Sequence, residues 1–169
     1  MSLVVLVTTL GVIKLSLFNQ TAPSTVNYFL NYVKSGYYNG TIFHRIMDGF
    51  VIQGGAYDMN FNRKLQPTFS GSSNADETSP SSYNTLGTIA MATDPKDPSK
   101  LEPQFFINLA DNDFLDSTKQ EPGYHAFGKV TAGFDVIQKI AHVKLGQREG
   151  MYNIPFYPQE VIIKSIAVQ

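Results

Sequence analysis

The stretch Phe43-His44-Arg45-Ile46-Met47-Asp48-Gly49-Phe50-Val51-Ile52-Gln53-Gly54-Gly55 decides how this chain folds. It spans two strand-like runs, 41–46 and 49–54, and three more follow at 86–92, 104–109 and 124–130. Upstream, residues 3–18 read as a hairpin. There Ile13, Leu15 and Leu17 alternate with Lys14, Ser16 and Phe18, roughly the period of a half-buried strand, and Gly11 suits the turn. Downstream, Glu160 to Val168 reads as a closing strand.

Two segments carry helical spacing instead. In residues 22–35, Val26, Phe29, Leu30 and Val33 form one apolar stripe. Thr21 is placed to cap that helix, Pro23 fits its first turn, and Gly36 can end it in the left-handed conformation. Residues 134–142 read as a second helix with Phe134, Ile137, Ile140 and Ala141 on one side. The polar segment 57–84 reads as loop with one short strand, and Thr93 to Pro103 as a second polar loop. Many short strands and only two helices predict a mainly β fold, a closed antiparallel barrel with helices over its ends. Neither an internal repeat nor a domain boundary is visible, so residues 1–169 are expected to form a single domain.

Composition narrows the function. The chain is 43% hydrophobic and 16% charged, as a globular protein is. Its formal net charge of −1 gives no electrostatic case for nucleic acid or an anionic membrane. No apolar run approaches the roughly 18 residues of a membrane span. The strand-like run Leu3–Val7 follows Met1-Ser2 directly, which suggests a cytoplasmic protein or a chain cut from a longer precursor. With no cysteine there is no disulfide framework, thiolate nucleophile or Cys-ligated metal. His44, His125 and His142 lack helical ligand spacing. Asp111-Asn112-Asp113 hints at a calcium loop, but Asp116 stands where glycine is needed and Pro122 where the bidentate glutamate is needed. Gly54-Gly55 lacks a following Gly-Lys-Ser/Thr, and a Gly-x-Ser-x-Gly elbow is absent. No metal and no cofactor is expected.

What remains is a constellation: the 43–55 run, then Gly87-Thr88-Ile89-Ala90-Met91-Ala92, then Gln104-Phe105-Phe106-Ile107-Asn108. In these segments, and across almost the whole chain, the sequence resembles the cyclophilin family of peptidyl-prolyl isomerases. Ala110-Asp111-Asn112-Asp113-Phe114-Leu115-Asp116 is most similar to the bacterial branch. The resemblance implies an eight-stranded antiparallel barrel capped by two α-helices, and rotation of Xaa–Pro bonds in proline-containing polypeptides. It implies Arg45 as the catalytic arginine and Gln53 as a bridge between arginine and substrate. Phe50, Val51, Phe106, Phe114, Leu115 and Tyr124 would line or border a proline pocket. Ala92, Thr93 and Gln104 would lie along the groove for residues preceding proline, with His44 beside the site as support. A monomer in the bacterial cytoplasm or periplasm is expected.

Several positions depart from the best-known eukaryotic members. Phe114 stands where tryptophan is common, Tyr124 where histidine is, Val51 for methionine and Thr93 for asparagine. Pro103 precedes Gln104 where serine is usual, which opens the local loop conformation to question. Cyclosporin binding in the family uses the tryptophan N–H, so Phe114 implies weak cyclosporin binding here. Taken without the resemblance, Arg45 reads as a solvated or ion-paired strand residue and the phenylalanines as core. A module that holds proline segments without turnover is the alternative function. The retained arginine favours the enzyme, because ring binding alone needs only an apolar pocket.

Overall fold

The computed structural model describes residues 1–65, 67, 69, 71, 82–118 and 122–169. In chain order the elements are β1 (Ser2–Thr8), β2 (Gly11–Leu17), α1 (Pro23–Ser35), β3 (Thr41–Met47), β4 (Val51–Asp58), β5 (Thr88–Asp94), β6 (Asp97–Asn108), β7 (Ala126–Ala132), α2 (Phe134–Ala141), β8 (Leu145–Arg148), β9 (Met151–Pro155) and β10 (Ile163–Val168). Eight strands form one antiparallel sheet in the order β10-β1-β2-β7-β5-β6-β4-β3, and β8 and β9 form a separate ribbon. The two edges of the large sheet meet. Ile42 bridges Ile162, and the Gly40 N–H donates to the Ile163 carbonyl at 2.8 Å. The sheet is thus a nearly closed barrel, with α1 packed against β10 and β6 and α2 against β2 and β3.

Alternation along the strands fills the interior. Val4 and Leu6 of β1, Ile13, Leu15 and Leu17 of β2, and Phe105 and Ile107 of β6 all point into one core. Phe29 of α1 sits among Tyr38, Phe105 and Phe127, with ring centroids 5.0–5.9 Å apart. Gly36, with φ 75°, ends α1 as expected and donates to the Tyr32 and Val33 carbonyls.

Three expectations are corrected. Thr21 does not stand at the cap position of α1, which is Ala22, and Pro23 starts the helix. Phe134 is half exposed at the start of α2, and Val136 joins Ile137, Ile140 and Ala141 in the buried face instead. Residues 93–103 are not a loop but a strand hairpin, with Thr93 opposite Leu101 and Asp94 opposite Asp97. Its turn is fixed by Asp94 and Asp97, whose Oδ1 atoms accept the N–H groups of Lys96 and Ser99. Pro103 is tolerated because it falls in the irregular stretch between the Thr93–Leu101 and Met91–Phe105 pairs. The ribbon of β8 and β9 was not expected at all. Nearly half of the loop assigned to 57–84, including all of 72–81, lies outside the described residues. At its start, β4 runs on to Asp58, and Tyr57 bridges Arg63.

Candidate active site

Where one face of β4, β5 and β6 fills the barrel, the opposite face builds a second, smaller cluster of Val51, Ala90 and Phe106, joined by Phe50, Leu115 and Tyr124. The adjacent phenylalanines of β6 therefore have different jobs. Phe105 is core and Phe106 faces outward. Strand register then lays one row across four strands: Arg45 of β3 is opposite Gln53 of β4, Gln53 is opposite Phe106 of β6, and Phe106 is opposite Ala90 of β5.

This row floors a cleft of about 90 Å³ lined by Arg45, Phe50, Val51, Gln53, Ala92, Phe106, Leu115 and Tyr124. That is far below the roughly 300 Å³ at which drug-sized ligand pockets begin, and suits a single small ring. The Phe106 and Tyr124 rings meet edge to face at 5.4 Å. The Arg45 guanidinium stands 6.0 Å from the Phe50 ring centroid, and its Nη1 donates to Gln53 Oε1 at 3.4 Å. Gln53 Nε2 in turn donates to Gln104 Oε1 at 2.7 Å.

The remaining predicted residues fall around this cleft rather than in it. Phe114 stacks on Phe50 at its exposed rim. Gln104 stands behind Gln53. Thr93 lines a neighbouring groove of about 260 Å³ with Asp94, Pro95, Pro98, Pro122 and Gly123, and the two cavities share Tyr124. His44 points to the other side of β3 from Arg45 and is buried beside the Tyr57 ring, 4.7 Å between centroids. Burial first, then the charges of Arg45 and Arg63, lower its pKa to about 4. It is therefore neutral near pH 7.

Sequence reasoning missed the scaffold beneath the walls. Asn84, Asn108 and Asn112 are buried and linked: Asn112 Nδ2 donates to Asn108 Oδ1, and Asn108 Nδ2 donates to Asn84 Oδ1 and Thr88 Oγ1, at 2.9–3.1 Å. At one end Asn112 Nδ2 also donates to the Phe50 carbonyl at 3.0 Å. At the other, Asn84 Nδ2 donates to the Tyr124 carbonyl and Asp116 Oδ1, both at 2.9 Å. Two opposite cleft walls are thereby tied through three side-chain amides. The Asp111-Asn112-Asp113 segment that hinted at calcium serves this frame: Asp111 Oδ1 accepts the Leu86 N–H and Asp116 Oδ1 the Asn84 N–H. The signal available in the sequence was the run of Asn and Asp itself, which does not distinguish a solvated turn from a buried strut.

The barrel carries on its outer face an apolar notch with an arginine at the rim, the arrangement expected of the family that the sequence resembles. The comparisons agree. The family model described as cyclophilin type peptidyl-prolyl cis-trans isomerase/CLD matches residues 3–168. The peptidyl-prolyl cis-trans isomerase of Acinetobacter baylyi is 42% identical over 162 residues, covering 94% of this chain and 84% of that protein. Peptidyl-prolyl cis-trans isomerase B of Escherichia coli is 40% identical over 164 residues, 94% of each. A Cryptosporidium parvum cyclophilin, solved in the presence of the dipeptide Ala-Pro, superposes with a TM-score of 0.76 at 28% identity, covering 100% of this chain and 99% of that one. The chain belongs to the cyclophilin-type peptidyl-prolyl cis-trans isomerase family, and its activity is cis–trans isomerisation of peptidyl-prolyl bonds. Among the described residues no helix is long and apolar enough to cross a membrane.

Proposed function

We propose that residues 1–169 act as one unit in which the cleft holds the proline ring while Arg45 promotes rotation about the bond before it. A planar amide resists rotation by roughly 18–20 kcal/mol because the nitrogen lone pair is delocalised into the carbonyl. In the twisted state the nitrogen regains that lone pair and accepts a hydrogen bond. A donor that meets it there stabilises the transition state more than the ground state, and only such a difference lowers the barrier. Arginine stays charged and offers several N–H groups in a rigid plane. The single observation that carries this reading is the strand row that sets Arg45 and Gln53 beside the outward ring of Phe106. Phe50, Val51, Phe106, Leu115 and Tyr124 grip the ring, and Ala92, Thr93 and Gln104 border the path of the preceding residues. His44, buried and neutral, supports β3 and transfers no proton.

The substrates are proline-containing polypeptides, and turnover on unfolded chains assists folding. Phe114 in place of a tryptophan supports weak cyclosporin binding. Among the described residues the two sheet edges meet through Ile42–Ile162 and Gly40–Ile163, which supports a monomer. The similarity to bacterial relatives supports a bacterial setting, cytoplasm or periplasm. The test is the exchange rate of a short Ala-Pro peptide with wild type and Arg45→Ala. One charge-assisted bond of about 1.5–3 kcal/mol predicts a loss on the order of ten- to a hundredfold. Equal rates would remove Arg45 from this role.

A further inference from the structure

Along β6, Glu102, Gln104 and Phe106 alternate onto one face, so a line of polar side chains leads away from the cleft floor. Four contacts join it end to end. Arg63 Nη2 lies 3.5 Å from Glu102 Oε1. Gln104 Nε2 donates to Glu102 Oε2 at 2.6 Å. Gln53 Nε2 donates to Gln104 Oε1 at 2.7 Å, and Arg45 Nη1 donates to Gln53 Oε1 at 3.4 Å.

A primary amide has an accepting oxygen on one side and a donating nitrogen on the other, so each glutamine alone could be turned either way. An ionised carboxylate only accepts, and a guanidinium only donates. With Glu102 at the far end, Gln104 must turn its NH₂ outward and its oxygen toward Gln53. Gln53 must then turn its NH₂ toward Gln104 and its oxygen toward Arg45. Reversing both amides would set NH₂ against guanidinium, donor against donor. The opposite charges at the two ends favour the same alignment, and hydrogen bonds in series polarise one another.

We propose that Glu102, steadied by Arg63, is the positioning residue that fixes the direction of this relay and so keeps Arg45 aimed into the cleft. The proposal rests on the role given to Arg45 above. Glu102 is absent from the cleft lining, as is Arg63. Their side chains are 20% and 50% exposed, so substitution leaves the core intact.

The test measures, for an Ala-Pro peptide, the exchange rate of the fully bound peptide by NMR and the Kd, in wild type, Glu102→Ala, Glu102→Gln, Arg63→Ala and Arg63→Lys. Glu102→Ala is expected to slow bound exchange about three- to tenfold while Kd stays within about twofold, because aim is lost but the ring-binding surface is kept. Glu102→Gln, whose oxygen still accepts, falls between the two and keeps the proposal testable if the alanine variant folds poorly. Arg63→Ala has a smaller effect in the same direction, and Arg63→Lys restores the rate. The side-chain amide resonance of Gln53 shifts in Glu102→Ala, a change that loss of stability alone does not produce. Wild-type bound exchange in folded Glu102→Ala and Glu102→Gln overturns the proposal, as does an unmoved Gln53 resonance or a Kd change as large as the rate change. If Arg45→Ala is also fully active, the Arg45 reading fails with it. If Arg45→Ala is impaired, the relay alone fails.

Discussion

Phe114 lies over Phe50, with ring centroids 5.6 Å apart and planes 20° from parallel, yet 71% of its surface is exposed. Its ring extends the apolar wall outward but offers no hydrogen-bond donor. A ligand that seats an acceptor at this rim loses a bond worth about 1–3 kcal/mol when the donor is missing. Cyclosporin should therefore inhibit weakly, and Phe114→Trp should tighten inhibition about tenfold with little change in peptide turnover. Tight inhibition of the unaltered protein, read from an inhibition titration, would contradict this.

Removing Asn112 should damage the frame behind the cleft. Its Nδ2 serves both the Phe50 carbonyl and Asn108 Oδ1, and Asn108 is wholly buried. Asn112→Ala leaves those acceptors without this donor, for an expected loss of roughly 2–4 kcal/mol in urea unfolding. The neighbouring exposed Asp113 provides the control: Asp113→Ala should stay within about 0.5 kcal/mol of wild type.

His44 makes stability depend on pH. Its pKa is lowered from 6.5 to about 4 in the folded protein, so the unfolded chain binds its proton at a higher pH than the folded chain does. The favourable contribution is complete above about pH 6.5 and is lost as pH falls toward 4. The full span corresponds to roughly 3 kcal/mol. His44→Gln, which does not titrate, should flatten the stability profile between pH 6.5 and 4. An unchanged profile would mean that His44 is not the group responsible.

Gly55 closes the quoted stretch for a reason of packing rather than of phosphate binding. Its φ is 92°, and an added Cβ would meet Tyr38 Cε1 at 2.8 Å and Phe105 Cε1 at 3.2 Å. Backbone strain and the clash together predict that Gly55→Ala loses roughly 2–4 kcal/mol. The denaturation midpoint should fall with its slope unchanged.

The barrel was legible because its strands obey local rules. The alternation of Ile13, Leu15 and Leu17 reports burial directly, and the long matched runs around Arg45 and Phe106 carry the cleft with them. The hairpin at 93–103 was not legible, because prolines and charges there look the same whether a turn is two residues long or eleven. The ribbon of Leu145–Arg148 and Met151–Pro155 hides for a different reason: it has no regular apolar period, and Gly146 and Asn153 break its pattern. Buried asparagines are the hardest case. Asn84 and Asn112 sit in segments that read as solvated loop, and only the approach of β4, β5 and β6 turns them into struts. The same holds for Glu102, which reads as a loop charge until Gln104 and Gln53 are seen in line behind Arg45.

The seam between β1 and β10 sets a timetable. Val4 lies opposite Val168 and Leu6 opposite Ile166, so the first strand of the barrel is completed by its last. At ribosomal speeds of about 5–20 residues per second, that partner follows on the order of ten to thirty seconds later. Throughout this interval the opening hairpin is without its neighbour on that side, and the barrel cannot be sealed from the front of the chain. Emergence of β10, rather than of any helix or earlier hairpin, is the event that allows this rotamase to finish its own folding.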